Sequence, residues 1–187
     1  MICFEIAFVS GELEGVATKT NVIVGGSVRA ESARLGFAAI PTDSDFVAIH
    51  DAARCLVTED MIKSMAEAAF SCGAATAATC VYDTLKRVGE DGFIVSTEKR
   101  QDFMRAQTPQ IFSVPIYREA LKSISFSAEI TDDNMLVEAL GQKIMCVDTG
   151  SENIKITEPS DVAIAESLLL KRAGRKRNDN MEIRVGH

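Results

Sequence analysis

Short apolar runs alternate with stretches of helical period along most of this chain. Val22-Ile23-Val24 stops at Gly25-Gly26-Ser27, and an amphipathic stretch from Arg29 to Ile40 follows, which predicts a strand feeding a helix. Phe46-Val47-Ala48-Ile49-His50 predicts a second strand, and residues 59–72 a helix with Thr58 as its cap. Ala74 to Val81 is apolar without alternation, the pattern of a strand buried on both faces. Further on come a helix near Pro115–Ser123, another opened by Thr131, the strand Ile144-Met145-Cys146-Val147 and a closing helix over Pro159–Arg172. Thr108-Pro109-Gln110 reads as a helix entry, and so does Ile130-Thr131-Asp132-Asp133, while Asn153-Ile154-Lys155-Ile156-Thr157 reads as a short strand. Strand–helix alternation of this kind predicts parallel strands joined by crossover helices, an α/β sandwich.

One segment breaks the alternation. From Asp83 to Gln107 two polar-rich strands flank Gly89-Glu90-Asp91-Gly92, a hairpin signal. Leu85, Val88, Phe93 and Val95 give that hairpin an apolar face with no place in the main sheet. An arm that buries this face on a second subunit is therefore expected. Residues 171–180 (KRAGRKRNDN) read as a charged linker or a frayed end.

Composition narrows the class. The chain has 187 residues, 47% hydrophobic and 25% charged, the profile of one soluble globular domain. No apolar run approaches the ~20 residues of a spanning helix. Residues 1–9 are apolar around Glu5 with no Lys or Arg before Lys19, so they read as a buried strand of a cytoplasmic protein rather than a signal peptide. Five scattered cysteines without a C-x-x-C pair read as reduced thiols, mostly small core residues. The net charge is −7, and residues 171–187 carry six Lys or Arg against two Asp or Glu, leaving −11 on residues 1–170. So acidic a body excludes general nucleic-acid binding. Any phosphate must be held by a few well-placed cations.

Several polar clusters fall where strands end. Gly25-Gly26-Ser27-Val28-Arg29-Ala30-Glu31-Ser32 is either a tight turn or a helix entry that receives an anion or a base edge. His50-Asp51-Ala52-Ala53-Arg54 sets a carboxylate and a guanidinium three residues apart. The carboxylate suits a hard divalent cation and the guanidinium a phosphate, or the two form a structural pair. Lys86, Arg87, Lys99, Arg100 and Arg105 place five cations on or near the arm. His50 reads as a packed strand-end residue and His187 as a terminal one; no Ser/His/Asp triad, P-loop or H-E-x-x-H occurs.

Taken in order, G-G-x-x-R-x-x-S, H-D-A-A-R, D-T-x-K-R, T-P-Q, T-D-D and N-I-K-I-T form a set that resembles the methylerythritol phosphate cytidylyltransferases, over about Val22 to Leu170. The resemblance implies a Rossmann-like nucleotidyltransferase sandwich with a protruding β-arm, a homodimer joined through residues 83–107, and Mg²⁺. It implies transfer of a cytidylyl group from CTP to methylerythritol phosphate, with pyrophosphate released. It places Gly26, Ser27 and Ser32 by the cytosine and ribose, and Asp51 on the metal. It places Arg54, Thr84, Arg100, Thr108, Thr131 and Lys155 around the methylerythritol phosphate and the reacting phosphates, with Thr84 and Arg100 reaching from the partner's arm. Ser27, Cys55 and Asp133 stand where the family commonly has Asp, Pro and Glu.

The family's glycine-rich L-A-A-G-x-G-x-R-M loop has no match here, so the chain is expected to be N-terminally truncated, to bind methylerythritol phosphate weakly and to form no product above background, or to be a non-catalytic dimerising or nucleotide-binding fragment. Met181 to His187 resembles the opening of a cyclodiphosphate synthase domain. The expected organisation is a cytidylyltransferase domain over 1–170, a linker over 171–180 and the start of a second domain at 181.

Overall fold

A computed structural model describes residues 21–123 and 130–185. The strand expected at residues 1–9, Cys3 and His187 lie outside the described residues. Helix α1 spans Arg29–Ala38, β1 Phe46–Ile49, α2 Glu59–Cys72 and β2 Ala74–Cys80. The arm follows as β3 (Lys86–Val88) and β4 (Ile94–Thr97), then a 3₁₀ turn at Arg100–Asp102. The chain continues through β5 (Met104–Ser113), α3 (Val114–Ser123), α4 (Asn134–Glu138), β6 (Met145–Asp148) and α5 (Pro159–Val185).

Four strands form the main sheet in the order β1-β5-β2-β6. The sheet is mixed, not parallel throughout. β5 runs antiparallel to both β1 and β2, while β2 and β6 are parallel. Thr108-Pro109-Gln110 is therefore interior strand and not a helix entry. Its cross-strand partners supply the burial that its sequence does not announce, and residues 107–112 are all buried. The register with β2 shifts between Thr76 and Ala78, opposite Gln110 and Ala106. Pro109, which has no N–H to give a ladder, sits in that interruption.

Alternation along the strands sends side chains to two cores. Phe112 and Ala74 join Ile49, Tyr117, Leu136 and Val137 on one face, with Phe37 of α1 packed against them. Ile111, Ala75 and Ala77 join Met65 and Ala69 of α2 on the other. Helix α2 begins as expected, because the Thr58 hydroxyl accepts from the Met61 N–H at 3.3 Å. It ends at Gly73, whose φ of 87° is the left-handed conformation glycine adopts without a Cβ penalty.

Other expectations need correction. Val22–Val24 is not a strand; it has no ladder partner among the described residues, and Val24 is exposed. Asn153–Thr157 is a loop, fastened by the Ile156 N–H to the Ala53 carbonyl at 2.9 Å. Helix α4 starts at Asn134, and the Asp132 carboxylate, rather than Thr131, accepts from the Met135 N–H. Helix α5 does not stop at Arg172; its backbone continues through the charged stretch to Val185. Lys171 and Arg172 both pair with Glu152, and Arg172 also donates to the Leu56 carbonyl at 2.7 Å. Cys55, Cys72, Cys80 and Cys146 form no disulfide among the described residues and are exposed rather than in the core. Among the described residues no helix is long and apolar enough to cross a membrane.

Candidate active site

The turn that ends β1 creates the first part of the site. The Arg54 N–H donates to the Asp51 carbonyl at 2.9 Å, which folds H-D-A-A-R into a tight loop. Thr108 then fixes that loop to β5. Its hydroxyl oxygen accepts from the Asp51 N–H at 2.9 Å and lies 3.0 Å from His50 Nδ1. His50 Nε2 lies 3.1 Å from the Arg54 carbonyl, which can only accept, so the imidazole proton sits on Nε2 and Thr108 donates to Nδ1. Burial pushes His50 below its ordinary value, consistent with that neutral ring.

A cavity of about 240 Å³ gathers Arg29, Asp51, Arg54, Thr108, Thr131 and Lys155, residues drawn from widely separated segments. It lies beyond the carboxyl end of β1 and against β5, and open α/β sheets bind ligands beyond the carboxyl ends of strands. Lys155 Nζ is 3.0 Å from one Asp51 oxygen and Arg29 Nε 3.6 Å from the other. Burial opposes ionisation of Asp51, but the Lys155 hydrogen bond and the charges of Lys155, Arg29 and Arg54 outweigh it and hold the carboxyl below its usual value. Burial lowers Arg54 despite the facing Asp51. Its Nη1 donates to the Asn153 carbonyl at 2.8 Å.

Behind the cavity lies a buried polar network that the motifs only hinted at. Arg29 Nη1 donates to Asp133 at 2.6 Å, and the Tyr117 hydroxyl donates to the other Asp133 oxygen at 2.6 Å. Burial works against the Arg29 charge, yet Asp133 and Asp51 outweigh it and raise the guanidinium above its ordinary value. Gln110 accepts from the Asp133 N–H at 3.0 Å and donates to Asp132 at 3.0 Å. Asn153, fully buried, donates to Gln107 and to the Thr108 carbonyl. Arg29 thus ties the exposed end of the site to a carboxylate locked in the core.

A family comparison decides what these residues belong to. The family described as 2-C-methyl-D-erythritol 4-phosphate cytidylyltransferase matches residues 8–171. The chain belongs to that family. Cytidylyltransferases so named from a Nostoc strain and a Synechococcus strain are 42% and 44% identical to it over 151 residues, 80% of this chain. Those alignments cover 66% and 68% of the relatives, so the chain spans about two thirds of their length. The solved 4-diphosphocytidyl-2C-methyl-D-erythritol synthase of Anaerococcus prevotii superposes with a TM-score of 0.79 at 26% identity, covering 88% of this chain and 76% of that one. A bifunctional IspDF from Campylobacter jejuni superposes at 0.67 with 30% identity, covering 84% of this chain and 39% of that one.

Within this chain, Asp51, Arg54, Thr108, Thr131 and Lys155 meet around the cavity. The other expected site residues do not line it. Gly26 donates its N–H to Ser32, whose side chain is buried, and the Ser27 amide and hydroxyl both bond Glu31. A Cβ at Gly26 would collide with the Glu31 side chain that closes this cap. Thr84 and Arg100 are exposed at the base of the arm, and Arg100 donates to the Tyr82 carbonyl at 2.5 Å. Of the arm cations, Arg87 pairs with Glu98 at 2.7 Å, and Arg105 stands in β5. Arg29 and Asp133 stood inside the quoted motifs. Tyr117 carried no signal beyond its helical spacing.

The donor set bears on the expected metal. Among the described residues no three His, Cys, Asp or Glu cluster, and the carboxylates that line the cavity are Asp51 and Asp132. That fits Mg²⁺, which is bound through one or two carboxylates with substrate phosphates and water completing its shell.

Proposed function

We propose that this chain transfers a cytidylyl group from CTP to 2-C-methyl-D-erythritol 4-phosphate, the reaction for which its relatives are named. The observation that carries the reading is three cations, Arg29, Arg54 and Lys155, gathered with the carboxylates of Asp51 and Asp132 around one cavity. An oxygen of the acceptor phosphate attacks the α-phosphorus of CTP; the new P–O bond forms as the bond to the β-phosphate oxygen breaks. Pyrophosphate leaves with that electron pair. The acceptor oxygen is already ionised, so no general base is needed.

The protein's work is alignment and charge compensation. Arg54 and Lys155 hold the reacting phosphates, and Thr108 and Thr131 orient the acceptor, with Thr84 and Arg100 reaching it from a partner's arm. Gly26, Ser27 and Ser32 receive the cytosine and ribose. Mg²⁺ on Asp51 would neutralise charge on the nucleotide phosphates. The free thiols support a reducing, cytoplasmic setting. The resemblance of residues 181–187 to the opening of a cyclodiphosphate synthase domain supports a cyclase unit beginning there.

Calorimetry tests the reading. Methylerythritol phosphate should bind, CTP with Mg²⁺ should bind, and Lys155→Ala should weaken the former about tenfold or more, a lost charge-assisted contact. A chain that binds neither ligand sinks the proposal. Release of pyrophosphate only when both ligands are present separates an enzyme from a ligand-binding subunit.

A further inference from the structure

Beside the Asp51 cavity a second compartment of about 300 Å³ opens, lined by Arg54, Thr79, Arg105, Gln107, Ser151 and Lys155. Thr79 and Arg105 are direct cross-strand partners in β2 and β5, which sends both side chains to the same face of the sheet. Thr79 is 1% exposed, yet its hydroxyl has no hydrogen-bond partner among the described residues. Buried polar groups are nearly always bonded, so this one is waiting for a partner. Arg54 Nε is also buried and unpartnered. Arg105 forms no ion pair among the described residues, and its charge opposes that of Arg54. No acidic residue lines this compartment among the described residues, and Asp51 of the adjoining cavity is already shared by Lys155 and Arg29.

Two facing guanidiniums, an ammonium and an unbonded hydroxyl call for a ligand with several acceptor oxygens and more than one negative charge. We propose that Thr79 and Arg105 complete a compartment for a phosphate monoester dianion, the phosphate end of the acceptor. This rests on the reading above that the acceptor is a phosphate monoester. A carboxylate brings one charge and leaves the Arg54–Arg105 repulsion only half answered; a phosphate dianion answers both cations and has oxygens left for Thr79 and Ser151.

The test uses the whole chain and its Arg105→Ala, Arg105→Lys and Thr79→Val variants. Calorimetry compares inorganic phosphate, pyrophosphate, methylerythritol phosphate and unphosphorylated methylerythritol, with CTP·Mg²⁺ as reference. Arg105→Ala should weaken inorganic phosphate and methylerythritol phosphate roughly tenfold or more, Arg105→Lys less, and CTP·Mg²⁺ less than about twofold. Thr79→Val should weaken the same two ligands while the denaturation midpoint holds or rises, because the lost hydroxyl has no partner among the described residues. Unchanged phosphate binding in Arg105→Ala overturns the proposal. So does a Thr79→Val chain that loses stability but not phosphate. An Arg105 dependence seen with pyrophosphate and not with methylerythritol phosphate assigns the compartment to the leaving group and overturns the acceptor assignment. Failure of CTP to bind, with phosphate binding still dependent on Arg105, defeats the cytidylyl-transfer reading alone.

Discussion

Asp51 and Asp133 show how differently one residue type is used a few ångströms apart. Asp133 is fully buried and is held by Arg29 and Tyr117, whereas Asp51 borders the cavity and shares its charge with Lys155 and Arg29. Asp51→Asn keeps the shape and removes the charge. Cytidylyl transfer by the active enzyme should fall by about a hundredfold or more, in the range of other lost electrostatic stabilisers. A steady-state assay across Mg²⁺ concentrations checks this, and near-normal rates at low Mg²⁺ would disprove the assignment. Tyr117→Phe removes one donor to a buried carboxylate and should destabilise the fold by about 1.5–3 kcal/mol, read from urea denaturation. A loss below about 0.5 kcal/mol would show that Asp133 is satisfied without it.

Among the elements, the arm stands apart. Among the described residues strands β3 and β4 pair only with each other, and Val88, Phe93, Ile94 and Val95 are all more than half exposed. A lone two-stranded hairpin is marginal in water. The apolar face on it supports the proposed homodimer. Leu85→Ser with Phe93→Ser should give monomers in sedimentation velocity, and an unchanged dimer would place the interface elsewhere. Arm and sheet also differ in legibility. The Gly89–Gly92 turn announced the hairpin, because its chemistry is local. β5 went unread, because Thr108-Pro109-Gln110 carries the residues of a turn or helix entry while its burial comes from β1 and β2 on either side.

For the molecule as a whole, pH separates two sets of groups. His50 lies below its ordinary value through burial, so between that lowered value and about 6.5 the unfolded chain takes a proton that the folded one refuses. Stability therefore rises with pH across that window and is lost as pH falls through it. Asp51 and Asp161 are held below the usual carboxylate range, Asp161 by the Thr157 and Glu158 N–H groups and the Thr157 hydroxyl. Their contribution is present above about 3.8 and disappears only at more acid pH. Urea midpoints should fall between pH 7 and pH 5, and His50→Gln should flatten that step while leaving the acid limb. A step that survives in His50→Gln would trace it to another group.

The sequence by itself determined the helices α1, α2 and α3 and the buried strand β2, since periodicity and the Thr58 cap act over a few residues. It also determined the kinds of chemistry available, because H-D-A-A-R, T-P-Q and N-I-K-I-T carry their functional groups wherever the chain puts them. Only the tertiary structure decided which groups meet. Arg29 reaches Asp133 across 104 residues of chain, and Thr79 faces Arg105 because β5 turns back against β2. Such contacts follow from how the strands close into one sheet, where a shift of a single residue in register would send every one of these side chains to the opposite face.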